Sequence, residues 1–205
     1  MVLAAGESQR MGFPKALLPL GAQTFLTRVL ATLGGLGYEE PCVVLGAHAE
    51  RIQPLLRNSR ARVVINQDFR SGQLSSIKVA LRDQDENCGA CMIWPVDQPA
   101  ISGSVVKELV QLFLNSHAAL VLPQCQGRRG HPAIFSKELF PELLEASLQE
   151  GGRAVVLRNQ DRMALLPTED ASTISDIDTP DDYYKLTGET LKEALRRRGR
   201  SQEPE

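Results

Sequence analysis

Apolar positions along this chain follow two rhythms. Some fall in short continuous runs rich in branched aliphatics, and others recur at three- and four-residue spacing. The first pattern suits strands buried on both faces, the second amphipathic helices. Strands are expected at Met1–Ala5, Pro41–Gly46, Arg62–Asn66, Ala90–Val96, Ala118–Pro123, His131–Phe135, Met163–Pro167 and Ser172–Ser175. Helices are expected at Thr24–Leu36, Ala49–Arg57, Gly72–Arg82, Ser104–Ser116, Lys137–Gln149 and Gly152–Asn159, with a last one from Pro180 to Arg198. Ser102 and Ser104 suit the start of the fourth helix, and Thr179-Pro180 the start of the last, by N-cap and first-turn proline preferences. Alternation of this kind argues for an α/β, Rossmann-like three-layer sandwich around a mostly parallel central sheet. One domain is expected over residues 1–188. Residues 189–205 are read as the end of the C-terminal helix and a disordered tail, polar from Gly199 onward.

Composition narrows the picture without naming a chemistry. With 205 residues, 42% hydrophobic and 23% charged, the chain fits one globular domain with a substantial core. A formal charge of −2 provides no overall basic field for nucleic acid, so a cationic site has to be local. The run Arg196-Arg197-Arg198 is read as a solvated helix end that complements the helix dipole. No apolar run reaches membrane-spanning length, and a cytoplasmic, membrane-free protein is expected. The four cysteines are irregularly spaced, and Cys88-Gly-Ala-Cys91 has no second pair at zinc-site spacing, so buried free thiols are expected.

The most informative segment lies behind the first strand: Leu3-Ala4-Ala5-Gly6-Glu-Ser-Gln-Arg10-Met11-Gly12-Phe-Pro-Lys15. Gly6 ends the strand, and the following residues are small or polar, so backbone N–H groups can face a ligand. Arg10 and Lys15 add cations within reach, a combination suited to a polyphosphate. The Gly6–Gly12 spacing matches neither the dinucleotide fingerprint nor the Walker loop. By itself the segment also fits an ordinary strand-to-helix turn.

The fourth strand ends in Pro95-Val-Asp97-Gln-Pro99, a carboxylate held between prolines at the edge where α/β sheets bind ligands. Opposite a phosphate cradle its chemistry suits Mg²⁺, which takes hard oxygen ligands. Asp178, and secondarily Asp176, precede the last helix and could complete that site; in an extended segment the two would share a face. Asp181 and Asp182 suit the first turn of the helix. Asn66 and the turn containing Ser71, Gly72, Ser75 and Ser76 lead into a helix N-terminus and suit the base or ribose of a nucleotide. Gly127-Arg-Arg-Gly130-His131-Pro132 is a cationic loop suited to an acidic second substrate, although His131 fits a structural role equally well. His48 and His117 have no partner motif and receive no role.

Together these segments resemble the molybdenum cofactor nucleotidyltransferases. Leu3-Ala-Ala-Gly6, Arg10-Met-Gly12 and Pro14-Lys15-Ala-Leu-Leu-Pro19 resemble that family's opening signature, which sugar-phosphate and terpenoid-precursor nucleotidyltransferases share. Val96-Asp97-Gln98-Pro99, Gly130-His131-Pro132 and Asp176-Ile-Asp178-Thr-Pro180 resemble its later signatures, in order, and the similarity spans about residues 3–184. The resemblance implies a fold of the nucleotide-diphospho-sugar transferase type. It also implies transfer of a nucleotidyl group from an NTP to the terminal phosphate of a molybdopterin-type acceptor, with release of pyrophosphate.

Ala5 before Gly6, where guanylyl-transferring relatives tend to carry glycine, leans toward CTP, as do Asp97-Gln98-Pro99 and Gly130-His131-Pro132. Asp176 and Asp178 stand where the guanylyl branch often has asparagines. On this reading Arg10, Lys15 and Asp97 are catalytic and Asp97 with Asp178 holds Mg²⁺. Leu3 to Gly6, Arg10, Met11, Gly12, Lys15, Asn66, Ser71, Gly72, Ser75, Ser76 and Asp97 bind the nucleotide, and Gly130, His131 and Pro132 bind the acceptor. A molybdoenzyme receiving the product is a candidate partner. GTP, a sugar-phosphate acceptor, and a non-catalytic accessory role remain the alternatives.

Overall fold

The computed structural model describes residues 1–200. Its elements, in chain order, are β1 (Val2–Ala4), β2 (Pro19–Leu20), β3 (Gln23–Thr24), α1 (Phe25–Gly35), β4 (Cys42–Leu45), α2 (Ala49–Ile52), β5 (Arg62–Ile65), α3 (Gln73–Arg82), β6 (Ala90–Pro95) and α4 (Gly103–Asn115). There follow β7 (Leu120–Cys125), β8 (Arg128–Arg129), β9 (Ala133–Ser136), α5 (Phe140–Glu145), α6 (Gly152–Arg158), β10 (Met163–Pro167), α7 (Pro180–Thr187) and α8 (Leu191–Arg200). The main sheet runs β10-β7-β9-β6-β1-β4-β5, with β8 paired to β7. Its β1, β4, β5 and β6 pair in parallel, as do β7 and β10, whereas β9 runs antiparallel between β6 and β7. The chain moves outward from β1 through β4 to β5, then returns to β1's other side as β6. That reversal opens a crevice at the carboxyl ends of β1 and β6, where doubly wound sheets take ligands.

Strand periodicity divides the core into two layers. In β1, Val2 and Ala4 join one apolar cluster and Leu3 joins the other; in β4, Val43 and Leu45 face the first and Val44 the second. The first cluster is covered by α1, α4, α7 and α8 through Phe25, Val29, Val106, Leu109, Tyr183 and Ala194. The second is covered by α3, α5 and α6 through Leu74, Ile77, Leu143 and Val155. Helices therefore lie on both faces of the sheet, giving three layers.

Four expected elements change form. The helix expected at 49–57 is α2 followed by a 3-10 turn at Gln53–Leu56, where Pro54 has no amide to donate to the α-helical ladder. The helix expected at 137–149 shrinks to a 3-10 turn and α5, ending where Ala146 turns extended (φ −52°, ψ 140°). The strand expected at 172–175 is a 3-10 turn, Ala171–Ile174. The Asp170 carboxylate accepts hydrogen bonds from the Ser172 and Ser102 amides there, at 3.0 and 3.2 Å, so local capping displaces strand pairing. The last helix is two: Gly188, at φ +74°, ends α7 in the left-handed region, and α8 starts afresh. Gly199 and Arg200 belong to α8, and the rest of the expected tail lies outside the described residues. The strand expected at 131–135 is the antiparallel β9, set by its distant partner β6, whereas the hairpin β2–β3 and the short β8 carry no strong apolar signature and pair with neighbouring segments.

Candidate active site

The loop after β1 folds on itself. Ser8 (φ 54°) and Gly12 (φ 69°) take left-handed conformations, and the Ser8 carbonyl accepts from the amides of Met11 and Gly12 at 3.1 and 3.0 Å. Met11 plugs into the core, which anchors the loop, while Ser8 Oγ accepts from the Lys15 amide at 3.1 Å. Among the described residues, the amides of Gly6 through Arg10 donate to no protein acceptor. Such a series of unsatisfied N–H groups beside a cleft is chemically an anion receptor.

That cleft, of about 310 Å³, lies between the ends of β1 and β6. Leu3, Ala4, Ala5, Gly6, Arg10, Lys15, Gly72, Ser76, Asp97 and Asp178 line it, which brings the cradle and both metal-candidate carboxylates together. Lys15 Nζ bonds Asp97 Oδ2 at 2.8 Å and makes a short bond to Asp178 Oδ1, and Arg10 Nη2 lies 2.9 Å from Asp178 Oδ2. Two cations and two carboxylates thus meet at one point. Burial opposes the Lys15 charge, but the Asp97 charge and the hydrogen bonds Lys15 donates to both carboxylates outweigh it and hold its pKa above the ordinary value. Burial likewise opposes the Asp178 carboxylate, yet its bonds to Lys15 and Arg10 hold its pKa below the usual range.

The carboxylates are fixed from behind. The Trp94 indole N–H donates to the Gln98 carbonyl at 3.0 Å, and the Ile177 amide donates to the Asp97 carbonyl at 3.0 Å, tying the two acidic loops together. Asp178 sits just before a capping box in which the Thr179 hydroxyl accepts from the Asp182 amide and the Asp182 carboxylate accepts from the Thr179 amide.

Asp97 Oδ1 is buried and has no hydrogen-bond partner. An orphaned carboxylate oxygen beside a second carboxylate fits a hard divalent cation. Among the described residues no cluster of three or more His, Cys, Asp or Glu side chains is poised to hold a metal. A cation here would therefore take its remaining ligands from substrate oxygens or water, as Mg²⁺ commonly does.

Other expected site residues lie elsewhere. Asp176 is outside the cleft and accepts from the Gln98 side-chain amide at 2.7 Å, bordering with Asp178 a neighbouring cavity instead. Met11 is core, and Gly12 supplies the left-handed turn. Asn66 and Ser75 are buried and mutually bonded at 2.8 Å, and Ser71 bonds Asp68 at 2.7 Å; all three shape the turn before α3 without lining the cleft. Gly130 and His131 line a second cleft of about 630 Å³ that meets the first at Gln73, whereas Pro132 is buried outside both. Burial lowers the His131 pKa despite the nearby Asp176 and Asp97 charges, so the imidazole is neutral at pH 7.

Sequence reasoning passed over the cleft's far wall. His48, Phe69 and Gln73 line it, and Glu7 pairs with Arg70 at 3.0 Å, linking the cradle to the turn at 69–71. Glycine is required at position 46, where a Cβ would lie 2.6 Å from the Ala5 carbonyl oxygen and 2.8 Å from Phe69 Cβ. His48 follows the carboxyl end of β4, and the strand-end rule that drew attention to Asp97 would have found it.

Residues 1–163 match the family described as MobA-like NTP transferase domain. The chain is 30% identical to the nicotine blue oxidoreductase of Paenarthrobacter nicotinovorans, over 91% of this chain and 94% of that one. It is 32% identical to a probable molybdenum cofactor guanylyltransferase of Mycobacterium avium (85% and 83% covered), and 27% identical to the molybdenum cofactor cytidylyltransferase of Escherichia coli (89% and 92%). The crystal structure of Rv0371c from Mycobacterium tuberculosis superposes with a TM-score of 0.79 at 25% identity, covering 92% of this chain and 97% of that one. A cradle of free amides, a lysine between two carboxylates and a matching sequence over most of the fold converge: the chain belongs to the MobA-like NTP transferase family and is a nucleotidyltransferase.

Proposed function

We propose that this protein transfers CMP from CTP to the terminal phosphate of a molybdopterin-type acceptor and releases pyrophosphate. The observation that carries the reading is the convergence of Lys15, Asp97 and Asp178 at the mouth of the unsatisfied amide cradle. An acceptor phosphate oxygen is already nucleophilic, so the protein's task is in-line placement and charge neutralisation. The amides from Gly6 to Arg10, with Arg10 and Lys15, hold the triphosphate and offset the negative charge that grows on the leaving pyrophosphate. Asp97 and Asp178 would hold Mg²⁺, which supplies Lewis-acid stabilisation of phosphoryl oxygens when bound. Gly6 and Ala5 let the nucleotide approach the backbone closely, and the Glu7–Arg70 pair ties the cradle to the turn at 69–71. Neutral His131, between Asp97 and the second cleft, orients the acceptor without adding charge.

The preference for CTP rests on Ala5 and on Asp97-Gln98-Pro99, and the E. coli cytidylyltransferase is a relative consistent with it. A redox function is the second reading, favoured by the oxidoreductase name of the Paenarthrobacter relative. Pyrophosphate release is measured with CTP or GTP, Mg²⁺, and either molybdopterin or a sugar phosphate; consumption of nicotine blue is followed separately by its absorbance. CTP- and molybdopterin-dependent release is expected. Release only with GTP or a sugar phosphate overturns the substrate assignment, and consumption of nicotine blue without any release overturns the reaction class.

A further inference from the structure

One side chain stands where the divalent cation is assigned. Lys15 Nζ bonds Asp97 Oδ2 at 2.8 Å and makes its short contact with Asp178 Oδ1, so it spans the same two carboxylates that fit the metal. Arg10 Nη2, at 2.9 Å, takes the other oxygen of Asp178. Two cations thereby offset two carboxylates, and the cluster is formally neutral. The remaining carboxylate oxygen, Asp97 Oδ1, is buried without a hydrogen-bond partner. The Lys15 side chain is only 14% exposed, whereas that of Arg10 is 70% exposed. Behind it the Lys15 backbone is fixed: its amide donates to Ser8 Oγ at 3.1 Å, and Lys15–Leu17 forms a 3-10 turn after Pro14. A change of partner by Lys15 is therefore a rotation of its side chain alone.

We propose that Lys15 is an internal stand-in for the divalent cation: it occupies Asp97 and Asp178 until a triphosphate enters the cradle, and only then releases them. The inference rests on the proposed transfer reaction and adds to it the order in which the site fills. For a dication arriving alone, Lys15 and Arg10 have already offset both carboxylates, so no net negative charge attracts it. Displacing the ammonium would leave an unpaired charge in a mostly buried space, beside a second charge of the same sign, which is strongly unfavourable. A triphosphate removes both obstacles. Its oxygens accept from the Gly6–Arg10 amides, which donate to no protein acceptor among the described residues, and its charge draws Lys15 and Arg10 across the cleft they already line. Asp97 and Asp178 are then released together, and Asp97 Oδ1 has no hydrogen bond to give up. Nucleotide and cation affinities are coupled through this one side chain, and by reciprocity each strengthens the other.

The probe is Mn²⁺ alone. Its binding without nucleotide is titrated by loss of the free-ion paramagnetic resonance signal in wild type, Lys15→Met, Lys15→Arg and the double variant Lys15→Met/Asp97→Asn. Lys15→Met is expected to bind Mn²⁺ about ten- to hundredfold more tightly than wild type. Lys15→Arg keeps the charge and stays as weak as wild type, and the double variant loses the gain. Equal affinity in wild type and Lys15→Met overturns the proposal. A gain that survives Asp97→Asn overturns it as well, because the ion then sits elsewhere. A second measurement needs only the wild-type chain and stands even if a variant fails to fold. Nuclear magnetic resonance of protein carrying carbon-13 lysine follows the Lys15 Cε signal, assigned through its bonds to the Lys15 backbone. That signal is expected to stay in place with Mg²⁺ alone and to move when CTP is added. A shift with Mg²⁺ alone as large as that with CTP, or none with CTP and Mg²⁺ together, overturns the stand-in role. Absence of pyrophosphate release from any NTP, alongside the expected Mn²⁺ pattern, sinks the transfer reaction and leaves the stand-in role in place.

Discussion

Gly130→Ala isolates the contact that shapes the acceptor side of the site. A Cβ at position 130 would fall on the Thr173 carbonyl group, 2.7 Å from its carbon and 3.1 Å from Ile174 Cγ2. The first obstacle is backbone and cannot rotate away, so the loop at 127–131 has to lift from the turn at 171–174. That loop is tied down by the His131 amide, which donates to the Thr173 carbonyl at 2.8 Å. Overpacking of this kind costs about 1–3 kcal/mol, and the lost hydrogen bond adds about 0.5–1.5 kcal/mol. A loss of roughly 2–4 kcal/mol corresponds to a melting temperature lower by roughly 5–15 °C for a chain of this size. Thermal unfolding by circular dichroism reads the stability, and acceptor KM reads the displacement of His131. Gly6→Ala is the control, because a Cβ there meets nothing within 4 Å and the backbone is not left-handed. If Gly130→Ala melts within about 2 °C of wild type with an unchanged acceptor KM, the close approach is not what positions the loop.

Three further outcomes follow from the geometry. Gly6→Ala should retain the wild-type melting temperature while CTP KM rises at least about tenfold, since the added methyl projects into open cleft; unchanged CTP affinity would remove Gly6 from the nucleotide site. Asp97→Asn should lower kcat by about 10²–10³-fold at saturating Mg²⁺ with the fold intact by circular dichroism, and near-normal turnover would sink the metal assignment. The pH dependence of urea denaturation should carry three signatures. The lowered Asp178 pKa contributes stability above its unfolded value of about 3.9, which disappears as pH falls through the folded value. The raised Lys15 pKa contributes stability below about 10.4 that disappears as pH rises through its folded value. His131 favours its neutral form in the fold, so stability declines as pH falls below about 6.5, and His131→Gln should flatten that limb; a variant profile that overlays the wild type refutes its burial as the cause.

Much of this architecture is written in local signals. The run at Pro41–Gly46 is a continuous apolar segment, and such a strand declares itself because both its faces are buried, whereas Arg62–Asn66, at the sheet edge with Arg62 and Ile65 exposed, was legible through its β-branched residues. Lys15 and Asp97 were legible for a related reason: Asp97 lies just past the end of β6 and Lys15 closes the loop that follows β1, and the sheet's topology brings the ends of β1 and β6 together. Whether Asp176 joins Asp178 was not legible, because residue alternation applies only inside a strand, and residues 175–178 follow the 3-10 turn Ala171–Ile174 without forming one. The Glu7–Arg70 link was out of reach for another reason: its two residues are 63 positions apart on different loops, and nothing local in the sequence pairs them.

The bond between Lys15 and Asp178 joins residues 163 positions apart. Asp178 also lies beyond the stretch, residues 1–163, that matches the family. The active centre therefore closes only when the last part of the chain docks onto the first. Tyr183 holds that docking through its hydroxyl, which donates to the Pro19 carbonyl at 2.8 Å. By linkage, anything that binds across Lys15 and Asp178 opposes local detachment of α7 and α8. Substrate then acts as a clasp on the two ends of the polypeptide, and amide exchange in the C-terminal helices should slow when CTP and Mg²⁺ are bound.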